Sequence, residues 1–382
     1  NPNTGPSQFC SLNGSAPSTE AGWPVYLPGE VQARCGTGKN GAQEFQSINL
    51  ANEKGQLDKP FVGADESASA RILFLGSRNV DGASVGVPAH CHLRVREALE
   101  KEEGISSVQI WKFARPELGV SRLFSFYELE KEMCHPTHLV MGIGGDELLR
   151  SLPGYWNMLC GTDPGLPAGD YLAVDSENRV TTIPSAAGAN VARGVPQAVP
   201  DDAPLLHREL SRQHERDLSQ LESILRHCQD VCRQDGVKLV LFLENCGETV
   251  DLRLLEGDGD ELERAHRHTS HVLQPLCDRL ETCLVDPYPA LLEEKKDAFY
   301  QSVPEWSPRG HALAARILAK ELSAECGESA KFALQRSKRV RSAQPLTTES
   351  RPSIAELESM AEAAEQAGVR AVPYPFANAM TV

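Results

Sequence analysis

The stretch RILFLGSRNVDG, residues 71–82, decides the fold class of this chain. Its residues 72–75 are four consecutive apolar side chains, and a Gly-Ser turn follows them directly. A short apolar run that ends at a turn is typical of a strand buried on both faces. Such strands occur in parallel sheets that helices cover on both sides. The stretch therefore predicts an α/β protein.

The same strand-like pattern recurs along the chain and alternates with segments of helical periodicity. Four more segments, most of them apolar, have the length of strands, at residues 108–113, 138–143, 237–243 and 283–286. Segments of helical character lie at residues 87–104, 126–134, 210–236, 261–280 and about 308–322. Strands that alternate with helices form parallel sheets through right-handed crossovers. The pattern predicts a flavodoxin-like three-layer α/β/α sandwich with a five-stranded parallel sheet.

The predicted α/β domain covers residues 69–323, with an extension on either side. Residues 1–68 are rich in Gly, Pro, Ser and Asn and show no sustained periodicity, which predicts an irregular, extended N-terminal segment. Residues 150–206 are too long and too rich in Gly, Pro and Ala for a plain connection, so we predict an insertion there. Residues 324–382 are predicted to be a C-terminal tail, in which residues 354–367 form a short helix.

The charge balance excludes one large class of function. Fifty-three acidic residues against 38 basic ones give a formal net charge of −15, whereas a nucleic-acid binder needs a basic face. No apolar run approaches the roughly 20 residues of a transmembrane helix; peripheral association with a membrane complex stays open. Against the acidic background one segment of the tail, 331–341, is basic, and it is either a solvated tail or an arm that docks on an acidic protein surface. Its basic residues are Lys331, Arg336, Lys338, Arg339 and Arg341.

The sequence predicts neither a metal nor a cofactor. Eleven cysteines show no zinc-type pairs and are interpreted as small buried thiols, with their disulfide state open. His266 and His268 point to different faces of their helix, and the acidic stretch 257–260 lacks the spacing of a calcium loop. The chain begins with Asn rather than Met, so we expect a processed N-terminus. This favours an organellar or secreted location over the cytosol, and the compartment itself stays open.

Three blocks of sequence lie where an open α/β sheet places its ligands, at the carboxyl ends of strands. They are the turn from Gly76 to Gly82, the segment PTHLVMGIGGDEL at 136–148, and the segment WSPRGHALAA at 306–315. Gly119, after the second strand, is a candidate for a fourth block. In this order and spacing they resemble the blocks of the SGNH/GDSL hydrolase family, and the resemblance covers about residues 69–323.

The resemblance implies a site whose catalytic residues have been replaced. In that family a serine attacks an ester, a histidine oriented by an aspartate activates it, and a glycine amide and an asparagine stabilise the oxyanion. The position of the serine is occupied here by Arg78, that of the histidine by Glu305, that of the aspartate by Ser302, and that of the asparagine by Asp146. Gly119 matches the position of the glycine donor. The resemblance thus implies a relative that lacks the family's acyl-transfer chemistry.

The replacements themselves suggest how the site is closed. Arg78, Glu305 and Asp146 occupy positions that converge in the family, so we expect an Arg78–Glu305 ion pair, shared with Asp146, to seal it. The function we expect is a structural or accessory subunit of a larger multiprotein complex, which binds other subunits through its terminal extensions. The alternative is a divergent esterase that uses Ser77, next to the lost nucleophile, or an unconventional site with Ser84 nearby.

Overall fold

The computed structural model describes residues 9–11, 26–37, 43–115, 119–144, 171–174, 179–183, 212–245, 260–300 and 305–340. The chain divides into two compact units, Asn1–Ala330 and Lys331–Val382. The predicted helix at 354–367 lies outside the described residues. Within them, no helix combines the length and the apolar character that a membrane span requires.

The N-terminal part of the chain forms an antiparallel sheet, which the sequence analysis did not predict. Strands β1 (Phe9–Ser11), β2 (Val31–Thr37) and β3 (Gln43–Leu50) pair in the order β1-β2-β3. The expectation of an irregular segment over residues 1–68 is therefore wrong for these strands. Side chains alternate regularly along β3, but its inward face carries Ser47 and Asn49 beside Phe45, while the apolar Ile48 and Leu50 face outward. A search for apolar inward faces misses such a strand.

The remaining strands include the predicted parallel sheet. They are β4 (Ala70–Gly76), β5 (Val108–Ala114), β6 (His138–Gly144), β7 (Tyr171–Val174), β8 (Val180–Ile183), β9 (Lys238–Asn245) and β10 (Cys283–Val285). Five of them form a sheet in the order β10-β9-β6-β4-β5, and all its pairs are parallel. This is the flavodoxin-like strand order, so the predicted fold class is confirmed. The hairpin β7–β8 lies within the predicted insertion at 150–206.

Helices connect and cover these strands. They are α1 (Arg78–Asp81), α2 (Cys91–Lys101), α3 (Val120–Cys134), α4 (Arg212–Asp235), α5 (Asp260–Leu280), α6 (Tyr288–Glu293), α7 (Lys295–Ala298) and α8 (Pro308–Val340). Two of them are longer than the periodicity predicted. Helix α3 begins at Val120, directly after Gly119, and α8 continues past residue 322 because residues 323–340 are mostly good helix formers.

The core is apolar and continuous from the parallel sheet to the loop before α8. Phe74 of β4 lies edge-on to Phe242 of β9, with 5.7 Å between ring centroids. Phe242 in turn contacts Trp306 at 5.9 Å, and all three side chains are fully buried. Trp306 therefore anchors its neighbour Glu305 at the carboxyl edge of the sheet. Seven cysteines of the described residues are free thiols, five of them buried, namely Cys91, Cys134, Cys228, Cys232 and Cys277.

Candidate functional site

The turn after β4 forms the first wall of the candidate site. Ser77 precedes the single turn of α1, and its Oγ accepts a hydrogen bond from the Arg78 amide at 2.6 Å. The turn ends at Gly82 with φ of +70°, a conformation that favours glycine. Ser77 is buried and its hydroxyl is used within the turn. The described geometry thus does not present the predicted fallback nucleophile to a substrate.

A carboxylate of the protein itself fills the anion-binding position of this turn. Glu244, at the end of β9, is fully buried, and its Oε2 accepts from the Ser77 amide at 2.7 Å. Its Oε1 accepts from the Val80 amide at 2.8 Å. Amides at the start of a helix are free donors unless such a group binds them. A Cβ on Gly142 would lie 2.6 Å from Glu244 Oε2, so the glycine in β6 makes room for the carboxylate.

Asn79 connects the turn to the other two walls of the site. Its Nδ2 donates to the Glu244 carbonyl at 3.0 Å, and its Oδ1 accepts from the Trp306 amide at 2.9 Å. The Tyr288 hydroxyl donates to the same Glu244 carbonyl at 3.1 Å. Sequence analysis named neither Glu244 nor Asn79. The available signal was one acidic residue after the apolar run of β9.

Glu305 has an arginine partner that comes from the N-terminal sheet. Arg34 of β2 places its Nη1 3.2 Å from each carboxylate oxygen of Glu305. Ser84 Oγ donates to the Glu305 carboxylate and accepts from Arg34 Nη1 at 3.2 Å. Ser84 and Glu305 are buried, and the Arg34 side chain is 16% exposed. Three side chains from distant parts of the sequence thus form one charge-neutral group.

The predicted ion pair between Arg78 and Glu305 is wrong, because the cation that pairs with Glu305 is Arg34. Arg34 takes that place because β2 lies over the site, which could not be foreseen while residues 1–68 were treated as irregular. Arg78 is partly exposed, and within the described part of the chain its guanidinium makes no ion pair or hydrogen bond. Asp146 and Ser302 lie outside the described residues. Gly119 precedes the first turn of α3, where its carbonyl accepts from the Arg122 and Leu123 amides.

The basic segment of the tail is described only in its backbone. Residues 331–340 continue the helix α8, and nothing is described of their side chains. The predicted partner-binding residues Lys331, Arg336, Lys338 and Arg339 lie on this helical stretch, whereas Arg341 lies outside the described residues. Their role in binding a partner stays a prediction.

Strand β3 covers the loop that carries Ser84. Ser47 Oγ donates to the Ala83 carbonyl at 2.5 Å, and Asn49 Nδ2 donates to the carbonyls of Ala83 and Val85 at 3.2 and 3.0 Å. The ring of Tyr300 packs on Phe45 of the same strand, with centroids 4.5 Å apart. Burial and the nearby carboxylates of Glu44 and Glu305 raise the pKa of Tyr300 to about 12. These contacts close the site from the side of the N-terminal sheet.

The histidine closest to Glu305 in the sequence is His311. It is buried in the first turns of α8, where its ring lies 5.6 Å from that of Trp306. Burial lowers its pKa to about 3, and the charges of Lys112 and His92 add to the effect. The imidazole is therefore neutral and fixed by packing at neutral pH.

The described residues can be compared with the requirements of acyl-transfer chemistry. That chemistry needs an exposed nucleophile, a base, and free donors for an oxyanion. Ser77 is used in its turn, and Glu244 occupies the amides that face it. Ser84 and Glu305 form a hydroxyl–carboxylate pair of the kind a nucleophile and a base make, but both are buried and the carboxylate is paired with Arg34.

Comparison with known proteins gives no close relative. No protein-family model matches the chain, and no curated protein matches it at a significant level. Among solved structures, a psychrotrophic esterase EstA from Pseudoalteromonas sp. is 8% identical, with a TM-score of 0.37 over 67% of this chain and 98% of its own. The lipase/acylhydrolase from Enterococcus faecalis is 10% identical, with a TM-score of 0.37 over 66% and 95%. A GDSL-like lipase from Bacteroides thetaiotaomicron is 7% identical, with a TM-score of 0.34 over 68% and 89%.

At such identities and TM-scores neither an activity nor the role of any residue passes from those proteins to this chain. The flavodoxin-like α/β fold rests on the strand order of the chain itself, and the likeness to the SGNH/GDSL family stays a resemblance of sequence blocks.

Proposed function

We propose that this chain is a non-catalytic SGNH hydrolase-like protein that serves as a structural or accessory subunit of a larger multiprotein complex. The observation that carries the first half of this proposal is the pairing of Glu305 with Arg34 and Ser84. Because of this pairing, the position that holds the general base in the SGNH/GDSL family holds the Glu305 carboxylate, whose charge Arg34 already neutralises.

The electrostatics of the turn support the same conclusion. An oxyanion needs donors that are free when negative charge develops. The amides of Ser77 and Val80 already bind the carboxylate of Glu244, and a second anion beside that carboxylate would be repelled. Arg78 at the position of the nucleophile has no hydroxyl or thiol with which to attack an ester.

The role as a subunit rests on a surface rather than on the site. Ile48 and Leu50 of β3 are 65% and 57% exposed, and their cross-strand neighbours Ala33 and Val31 continue the same outward face of β2. Adjacent exposed apolar side chains are typical of protein contact surfaces. The basic residues of segment 331–341 are proposed as a second contact, to an acidic surface.

An activity assay and a probe test the first half of the proposal. The purified full chain is incubated with short-chain aryl esters and with a fluorophosphonate that labels reactive serines. We expect neither turnover nor labelling, while an active GDSL-type esterase run in parallel shows both. Labelling of Ser77 or Ser84, located by mass spectrometry, contradicts the proposal.

Isolation from the native source tests the second half. We expect the chain to co-migrate with other proteins at a mass well above its own 41.6 kDa. Chemical cross-links should then include residues of the outward face of β2 and β3 or of segment 331–341. Migration as a free monomer, with no cross-linked protein, contradicts the role as a subunit.

The contact between Ser84 and Glu305 favours a second candidate, an esterase that uses this unconventional pair. In that case Arg34 holds the pair inactive, and Arg34→Ala should release ester hydrolysis. The matched control is the double variant Arg34→Ala with Ser84→Ala, in which any released activity must vanish. No activity in Arg34→Ala, in a protein that keeps its folded spectrum, removes this candidate.

A further inference from the structure

One buried ammonium group ties the N-terminal part of the chain to the α/β domain. Lys112 of β5 is 2% exposed, and its Nζ lies 2.7 Å from the Leu57 carbonyl, 2.8 Å from the Asp81 carbonyl and 3.1 Å from His90 Nδ1. An ammonium has three N–H donors, and here each has one acceptor. Leu57 belongs to the segment 26–58, whereas Asp81 and His90 belong to the α/β domain.

This contact fixes the protonation state of His90. Because Nδ1 accepts a hydrogen bond from Lys112, the proton of the neutral ring is on Nε2, which lies 3.3 Å from the Val85 carbonyl. A proton added to Nδ1 would convert the acceptor into a donor that faces the ammonium. The hydrogen bond would then become a repulsion between two cations in a site without solvent.

A second histidine contacts the same segment directly. His92 of α2 places its Nε2 2.9 Å from Asp58 Oδ2. Burial alone would raise the pKa of Asp58, but His92 and Lys112 outweigh it and lower that pKa to about 2. Tyr26, at the start of the segment, donates to Asp81 Oδ2 at 3.1 Å. The segment is therefore held by charged and polar partners from several elements of the domain.

We propose that this cluster is an acid-sensitive latch: protonation of His90 releases the segment 26–58 from the α/β domain while the parallel sheet stays folded. Release would uncover Ser84 and Glu305, which β2 and β3 cover at neutral pH. The latch does not depend on whether the chain is catalytic. It gives the N-terminal sheet two positions, and pH selects between them.

The sign of the pH dependence follows from the surroundings of the histidines. Burial, then Lys112 and the neighbouring His92 and His311, hold the pKa of His90 well below its usual value. Burial also lowers the pKa of His92, against the opposing charge of Asp58. A released histidine titrates near 6.5, so the open form binds more protons than the closed form as pH falls below that value. The closed form is favoured most above about pH 7. Below that pH, the ratio of closed to open form falls by up to about tenfold per pH unit for each histidine that titrates.

Other titratable groups modify this dependence without reversing it. Burial raises the pKa of Asp81, although Lys112 and Arg115 oppose it, so Asp81 takes up a proton in the closed form and offsets one histidine. Asp58 acts in the same direction as the histidines, but only at lower pH, as its folded pKa is about 2. The groups that face His90 and Lys112 are Asp58, Asp81, His92 and His311.

Hydrogen exchange of the full chain, measured by mass spectrometry, tests the latch. Protection is compared at steps between about pH 7.5 and about pH 4.5, corrected for the intrinsic exchange rate. We expect peptides from residues 26–58 to lose protection by about tenfold or more, while peptides from β4 and β6 keep theirs. Loss in both regions at one common pH, or in neither, overturns the proposal.

Two matched variants assign the effect to His90. His90→Asn keeps an acceptor near the place of Nδ1 but does not titrate, so release should move to lower pH. The control is His138→Asn: His138 is the first residue of the central strand β6, at the amino end of the parallel strands, with a pKa that burial lowers to about 4. It should leave the pH of release unchanged. An equal shift in both variants, or none in His90→Asn, contradicts the assignment, and if His90→Asn fails to fold, the comparison of regions in the unaltered chain still decides.

Discussion

The parallel sheet and the N-terminal sheet both bury side chains, and these buried side chains differ in chemistry. Strands of the parallel sheet bury Phe74 and Phe242 against other apolar side chains. Strand β3 buries Ser47 and Asn49, and both side chains bind main-chain carbonyls of the domain. Apolar packing tolerates many partners of suitable shape, whereas a buried polar group requires one specific partner.

This difference separates stability from specificity within one chain. The parallel sheet supplies the apolar burial that folds the domain, since burial of apolar surface is the dominant favourable term. The N-terminal sheet contributes fewer apolar contacts, but its polar ones are directed at the loop that carries Ser84 and at Glu305. It is therefore adapted to cover this one place.

The largest effect is expected in the parallel sheet. Phe74→Ala should lower the free energy of unfolding by about 3–5 kcal/mol, because it removes a fully buried ring and leaves a cavity. Denaturant unfolding followed by circular dichroism measures the loss. A decrease below about 1 kcal/mol would mean that the parallel sheet is not the stabilising element that its packing indicates.

A smaller and more local effect is expected at the junction of the two sheets. Glu305→Gln should cost about 1.5–3 kcal/mol, since it leaves the Arg34 guanidinium without its carboxylate. Arg34→Gln should cost about the same, and the double variant less than the sum of the two. Exchange should increase mainly in residues 26–58. Additivity of the two changes within about 0.5 kcal/mol would show that the side chains do not act as a pair.

The comparison also explains what the sequence could predict. Four of the five parallel strands contain an uninterrupted apolar run, because a strand covered on both faces has no polar side to interrupt it, and β5 alone is interrupted, by Gln109 and Lys112. The turn from Gly76 to Gly82 was recognisable because a strand-to-helix turn of this shape needs small residues at fixed places. Local sequence and global fold agree in these segments.

The contacts that close the site could not be predicted in the same way. Arg34 and Glu305 are 271 residues apart, and no local pattern connects them. In β3 two of the three buried side chains are polar and the apolar Ile48 and Leu50 face outward, so the usual assignment of apolar residues to the inward face fails there. In the sequence, Glu244 is only the first polar residue after an apolar run, and nothing local indicates its role. Its binding to the amides of Ser77 and Val80 depends on the tertiary register of β9 beside β6.

A weaker effect is expected from a single polar side chain of the N-terminal sheet. Asn49→Ala removes the donor of two hydrogen bonds and should cost about 1–2 kcal/mol, since each bond contributes about 1 kcal/mol. The matched control is Gln46→Ala on the exposed face of the same strand, which should change little. Equal effects in both variants would mean that the inward polar contacts of β3 add no stability.

The smallest change in stability is expected on the outward face, and it separates folding from association. Ile48→Thr keeps a β-branched side chain at an exposed position, so the free energy of unfolding should change by at most about 0.5 kcal/mol. If the apolar outward face of β2 and β3 binds another subunit, the same variant should co-migrate with less partner when the complex is isolated from the native source. The control is Gln46→Ser, a polar exchange beside it. Unchanged co-migration in Ile48→Thr would remove this face as the contact, and a large loss of stability would mean that Ile48 packs within the fold.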